Sequence, residues 1–330
     1  PGVGGTAGSV GGFRNDIVIR GGAPNENVYY LDGIEIPVIN HFSTQGSAGG
    51  PVGILNVSFI EDVTLSSSAF EAKYDNALAS VFQFKQKEGS KERIQGNVRL
   101  SGTELAVTTE GPINKKTTFL ASARRSYLQL LFELIGLPIR PNYWDFQTKV
   151  THRFNNKTSI SVIGVGAIDE FAFAEPRNPS ADAEYIARSQ PFIEQWNYTA
   201  GVSLKHSLKN GVLNVALSRN SFQNNLDRFE DKKFDDESAR LLRGRSNETE
   251  NKLRADITQF FGGWKVSYGI VSQQVNITNS LFNKFRKPIT DSNGVQLQPG
   301  ATINFNTDLS MLRYGAFGQV GKSFLNNRLS

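Results

Sequence analysis

From residue 114 onward, turns of two or three residues alternate with much longer connections, and few architectures sort their loops by length in this way. The short turns are Asn114-Lys115-Lys116, Asn155-Asn156, Lys209-Asn210-Gly211, Gly262-Gly263 and Asn326-Asn327. Their asparagines and glycines suit the positive φ angles of tight hairpins. Between them lie stretches rich in Pro, Asp, Asn and Glu, at 127–142, 169–190, 227–246 and 281–300. In an up-and-down barrel that crosses a membrane, successive connections fall on opposite sides, so tight turns gather at one end and long loops at the other. A soluble sandwich has no reason to sort them.

The segments between the turns have period 2. Ala200, Val202, Leu204 and Leu208 oppose Gly201, Ser203, Lys205 and Ser207, and Leu253, Ala255 and Ile257 oppose Lys252, Arg254, Asp256 and Thr258. Phe146, Thr148 and Val150 oppose Gln147, Lys149, Thr151 and Arg153, and Ile94, Val98 and Leu100 oppose Arg93, Gln95, Asn97 and Arg99. A soluble sheet with one wet face alternates too. Five aromatics, Phe119, Phe154, Phe261, Trp264 and Phe324, sit beside the tight turns, where a membrane barrel carries an aromatic girdle. The reading gives ten strands after Gly89, at 92–101, 104–112, 117–126, 144–154, 158–168, 192–208, 212–226, 247–261, 264–279 and 301–324, with an eleventh starting at Arg328. Ten or eleven such strands leave two unpaired edges and do not close a barrel alone.

Composition narrows the function. A mean hydropathy of −0.34 is compatible with a barrel whose strands alternate faces, and no apolar run is long enough for a membrane helix. The chain has no cysteine, and its three histidines, His41, His152 and His206, have no ligand spacing, so neither a metal site nor a cofactor is expected. A net charge of +5 without a basic, aromatic-interleaved run gives no nucleic-acid groove. No G-x-S-x-G, H-E-x-x-H or convergent acid, base and nucleophile set appears, so no catalytic residue and no enzyme is expected. The beginning at Pro1 and the end at Ser330 read as cuts in a longer polypeptide.

Residues 1–89 have a different texture, with abundant glycine and short strands such as Asp16 to Arg20, Asn27 to Leu31 and Ile60 to Leu65. In order they carry Ile19-Arg20-Gly21, the hairpin Asp32-Gly33, the acidic-led strand Glu61-Asp62-Val63-Thr64-Leu65, Tyr74-Asp75 and Ala79-Ser80-Val81-Phe82-Gln83-Phe84. This ordered set, followed by barrel hairpins, resembles the C-terminal part of the plug and the first half of the barrel of TonB-dependent outer-membrane receptors, in their Bacteroidetes-type variety. Two positions depart from that pattern: Ser66-Ser67-Ser68 stands where R-G-P is usual, and Asp75 where glycine is usual.

The resemblance implies a mostly β protein: a partial transmembrane antiparallel barrel, of about 22 strands when whole, around a small α+β plug. The boundaries would be 1–89 for the plug and 90–330 for the barrel. It implies active transport of a scarce extracellular ligand (siderophore, haem, cobalamin, glycan or peptide) across the outer membrane, with energy from the TonB-ExbB-ExbD complex. The segment that contacts TonB would precede Pro1. The family's motif arginine, here Arg20, would be held by acidic partners from the wall; the plainer reading is a solvated strand-end arginine. Asp32-Gly33 closes a hairpin, and Gly21, Glu61 and Tyr74 belong to the plug's structural motif.

Topology would aim Arg20, the loop with Asn40, His41 and Phe42, and Asn56 at the ligand; packing on the wall is the alternative for each. The stretch 126–138 reads as a short helix, packed on the rim or serving as a lid or a contact for a surface lipoprotein. Asp235-Asp236-Glu237 suits either calcium or a solvated mixed-charge loop. The rival function is a soluble or surface-attached β-rich binding protein without transport, which would lack the outward apolar face.

Overall fold

A computed structural model describes residues 3–6, 16–46, 48–67, 70–174, 190–230, 235–286, 289–290, 296–322 and 324. Its largest unit is an antiparallel wall of ten strands, each hydrogen-bonded to its sequence neighbours. A four-stranded sheet lies against the inner side of this wall.

The inner sheet comprises β1 (Asn27–Leu31), β2 (Ile34–Glu35), β3 (Ile60–Ser66) and β4 (Ser80–Gln86), in the order β2-β1-β4-β3. Strands β1 and β4 are parallel, and the other two pairings are antiparallel. Asp32 and Gly33 join β1 to β2 with φ of 51° and 85°, the doubly left-handed turn that a two-residue hairpin favours.

The wall runs through β5 (Gln95–Leu100), β6 (Glu104–Asn114), β7 (Thr117–Ser126), β8 (Ile139–Arg153), β9 (Thr158–Phe173), β10 (Phe192–Leu208), β11 (Gly211–Phe229), β12 (Arg240–Phe261), β13 (Trp264–Arg286) and β14 (Ala301–Lys322). Among the described residues β5 and β14 pair on one side only. The predicted eleventh strand and the Asn326-Asn327 turn lie outside the described residues.

Ahead of the sorted turns, the connection Ser101-Gly102-Thr103 is short yet lies at the long-loop end. Two expectations need correction. Of the described strand-to-strand hairpin turns after Gly89, only Gly262-Gly263 is left-handed, with φ of 53° and 84°. Asparagine works elsewhere through its side chain: Asn155 Oδ1 accepts from Lys157 N and Thr158 N at 2.8 and 2.9 Å, and Asn114 Oδ1 accepts from Lys116 N at 2.9 Å. Finally, the strands run further than predicted at the long-loop end. There β8 begins at Ile139, β12 begins at Arg240 and β13 ends at Arg286, and the loops shorten accordingly.

The predicted helix is α1 (Leu128–Leu134), the α-helix of the described residues. It ends in a Schellman turn: Gly136, with φ of 77°, donates to Glu133 O, and Leu137 N donates to Phe132 O. No residue of α1 is buried.

Candidate functional site

The wall is inside out relative to a soluble sheet. On its inner face Asp145, Gln147, Lys149, Gln195 and Lys252 are all at most 6% exposed. On its outer face Trp144, Phe146, Val162, Leu217 and Ile270 are 39% to 56% exposed. Leaving apolar area in water costs about 25 cal/mol per Å², so this outer face calls for an apolar surrounding. Along β8 and the residue that follows it, this face runs from Trp144 to Phe154. That is about 34 Å along a strand, or roughly 26 Å at the usual tilt, the height of a membrane-barrel apolar band. Phe154, Phe261, Trp264 and Phe324 mark the tight-turn end, with Phe119 on the same face less exposed. The stacked pairs Trp144–Phe146 and Trp196–Tyr198 mark the other end.

The inner sheet meets the wall along a seam of charged and polar contacts. Near the tight turns Arg153 Nε donates to Glu88 Oε2 at 3.1 Å. Further up, Lys149 Nζ lies 3.0 Å from Asp32 Oδ2 and donates to Gln86 O at 3.0 Å, while Gln147 Nε2 donates to Gln86 Oε1 at 2.7 Å. Asp32 also accepts from Gln86 N and Nε2, at 3.0 and 2.9 Å. The hairpin aspartate therefore anchors the sheet to the wall besides turning the chain. Asp75, which replaces the usual glycine, accepts from Lys252 Nζ at 2.8 and 3.0 Å, and Lys252 also pairs with Glu35. Burial pushes the Glu35 carboxyl up against the opposing pull of Lys252.

Between these contacts the hairpin tip is apolar. Leu31, Ile34, Ile36 and Ile54 cluster with Ile163, Val165 and Ala167 of β9. Gly201 makes room, since a Cβ there would stand 2.7 Å from Ile34 Cδ1. Strand β9 is apolar on both faces because one meets the hairpin and the other faces outward.

At the long-loop end the loop 37–53 is fastened by His41, whose side chain has no exposure. Its Nδ1 lies 2.6 Å from Asp169 Oδ1 and its Nε2 lies 3.0 Å from Asp145 Oδ2. The ring stacks on Tyr143 at 3.9 Å. Phe42 N donates to Asp169 Oδ2 at 2.9 Å, and Arg124 Nε donates to Asp145 Oδ2 at 2.6 Å. Burial pushes the imidazolium down, but hydrogen bonds and charges from Asp145 and Asp169 outweigh it and raise the pKa above 6.5. Two aspartates then face one imidazolium and one guanidinium.

The residues aimed at a ligand by sequence occupy several places. Asn40 is buried in the loop, with Nδ2 donating to Ala48 O at 2.6 Å. Both ring nitrogens of His41 are engaged. Asn56 caps the turn Val57–Phe59, accepting from Ser58 N at 3.0 Å, and its N–H donates to Gln147 Oε1 at 2.8 Å. Arg20 is exposed in the turn closed by Gly22 N to Ile19 O at 2.9 Å, and it forms no ion pair with an acidic residue among the described residues. Gly21 continues this turn with φ of 80°.

Glu61 pairs with Lys85 at 3.0 Å, and Tyr74 packs on Tyr30 at 5.3 Å. Phe42 stays half-buried, edge-on to Phe171 at 5.8 Å, and Phe171 meets Phe173 at 5.2 Å. These two wall aromatics were missed, although F-A-F beside a long loop was visible in the sequence. Asp235 is exposed, Asp236 caps the turn at Ser238, and Glu237 pairs with Arg240 and Arg243, so the acidic run is a mixed-charge loop.

No protein-family model and no curated protein matches the chain. Solved structures do match. The copper transporter OprC aligns over 92% of this chain and 46% of its own, at 13% identity and a TM-score of 0.61. The unliganded ferric citrate transporter FecA aligns over 94% and 48%, at 10% identity and 0.59. The ferripyoverdine receptor of the outer membrane of Pseudomonas aeruginosa aligns over 94% and 48%, at 13% identity and 0.57. The chain thus spans about half the length of the solved structures it matches. Its fold is that of the plug-filled barrels of TonB-dependent outer-membrane receptors.

Proposed function

We propose that this chain is the C-terminal plug segment (1–89) and the first barrel half (90–330) of a bacterial outer-membrane transporter. It binds a scarce extracellular ligand and releases it to the periplasm when the TonB-ExbB-ExbD complex, drawing on the proton-motive force, pulls on the plug. The observation that carries this reading is the combination of an outward apolar band with an inward polar seam that holds a folded sheet. A soluble binding protein has no use for either.

Ligand arrives at the long-loop end and meets the half-exposed aromatics Phe42, Phe171 and Phe173, which offer stacking surface. Asn40 and His41 shape the loop that presents Phe42, and Asn56 steadies the segment behind it. No residue in this arrangement acts as a catalyst. The matching structures are a copper transporter, a ferric citrate transporter and a ferripyoverdine receptor, so metal and metal-chelate cargoes lead the substrates to try, ahead of haem, cobalamin, glycans and peptides.

The test is growth and uptake by a deletion strain across iron, copper, vitamin and glycan sources, with complementation by the full-length gene. Loss of uptake of one source, restored by the wild type but not by a variant whose plug is disulfide-locked to the wall, is expected. An unchanged profile on every source would overturn transport.

A further inference from the structure

Beside the docked hairpin, between the inner sheet and the wall, lies a chamber of about 180 Å³ that none of the foregoing uses. Glu35 lines it from the sheet, and Asn197, Asn220, Glu248 and Glu250 line it from β10, β11 and β12. Two of its amides are unfinished. Asn220 is 3% exposed and Asn197 7%. The Asn220 amide is oriented by its Nδ2, which donates to Glu250 Oε2 at 3.4 Å, and its Oδ1 is left without a partner. Asn197 Nδ2 has none either. Buried polar atoms without partners are uncommon in folded proteins and mark places where water or an ion belongs.

Charge points the same way. Glu248 accepts from the neutral Gln45 Nε2 at 3.5 Å, and Glu250 accepts from the neutral amides of Asn220, at 3.4 Å, and Gln273. The nearby ammonium, Lys252, is held by Glu35 and Asp75. Arg254 turns away to Asp256 and to the rings of Tyr30 and Tyr74. Lys252 is therefore shared by Glu35, Asp75 and, at longer range, Glu250, and Glu248 has no ion pair among the described residues. Carboxylates withdrawn from bulk water need a counter-charge.

We propose that this chamber binds a hydrated divalent cation, held by the carboxylates of Glu248 and Glu250 and by Asn220 Oδ1. Among the described residues no cluster of three or more His, Cys, Asp or Glu side chains stands close enough to enclose a bare ion. A pair of carboxylates plus an amide oxygen matches the way magnesium keeps several of its waters. The chamber of about 180 Å³ has room for the ion and several waters, each of which takes roughly 30 Å³ in the liquid. Asn197 Nδ2 can then donate to one of those waters. Because plug and wall both line the chamber, the ion ties one to the other.

The test uses the full-length receptor in detergent, stripped with chelator and titrated with MgCl2, CaCl2 or methylammonium chloride, with binding followed by calorimetry and thermal unfolding. Saturable binding of a divalent ion with a rise in Tm is expected. The double variant E248Q/E250Q should weaken it by roughly tenfold or more, and Asn220→Asp should strengthen it. Asn220→Asp keeps the proposal testable if the double variant does not fold. Divalent binding that neither variant alters means an adventitious ion only and overturns the site. So does the absence of saturable binding at millimolar concentrations, or an equal response to methylammonium. No transport is measured, so failure here is separate from failure of the uptake test.

Discussion

The plug touches the wall in two chemically different ways. At the hairpin tip, Ile34 and its neighbours press on Ile163, Val165 and Gly201 without directional bonds. Above and below this patch, named carboxylates meet named cations and imidazolium, at Asp32 with Lys149, Asp75 with Lys252, and Asp145 and Asp169 with His41. The apolar patch stabilises in proportion to area and tolerates small slips. The ionic contacts add little net stability over apolar replacements but are costly to break singly, so they set register. An ion pair can be re-solvated contact by contact once water enters, whereas an apolar patch separates with its whole area.

The comparison can be broken most severely at Lys252. Changing it to Ala leaves Glu35 and Asp75 facing each other, and unfolding of the full-length receptor should show a loss of about 4 kcal/mol. A loss below 1 kcal/mol would mean that water already serves these carboxylates. The apolar side is tested by Ile34→Ala, expected to cost about 3 kcal/mol. Gly201→Val, which drives a Cβ into Ile34, should cost about 2 kcal/mol, and pairing it with Ile34→Ala should recover part of that loss.

His41→Gln should cost roughly 1.5 kcal/mol in acid solution. Because the folded-state pKa is raised above 6.5, this contribution is fully present below that value and fades as pH rises through the folded pKa. Melting curves of wild type and variant should therefore converge toward alkaline pH; a constant gap would assign His41 to packing alone. The smallest effect is expected at Leu134→Ser on the exposed face of α1, within about 0.5 kcal/mol by melting temperature.

The sequence was most legible where lipid-facing and lumen-facing positions contrast. Ala200 and Val202 against Gly201 and Ser203 placed β10 correctly because one face is apolar and the other is not. Beyond the apolar band that contrast disappears. Asn247 and Ser246 of β12, like Asn276 and Asn279 of β13, are polar on both faces, yet these strands continue through backbone pairing. The loops were consequently read as too long.

The seam was harder to foresee. His41 and Asp169 are 128 positions apart, and no local pattern marks an aspartate on a polar face as the one that a loop histidine will find. Asp75 and Arg20 show both sides of reasoning by motif. The departure at Asp75 gained a partner in Lys252, while the motif residue Arg20 has none among the described residues.

Phe42 follows His41 with φ of 53°, a left-handed backbone that a side chain other than glycine adopts at a cost of about 1–2 kcal/mol. Asp169 holds this conformation by gripping both the ring of His41 and the N–H of Phe42. Once that grip is lost, the peptide is free to swing toward the common right-handed or extended regions, and Phe42 would leave Phe171. Returning would require recovering both bonds together, so the placement of Phe42 depends on Asp169 as one cooperative contact and not as two independent ones.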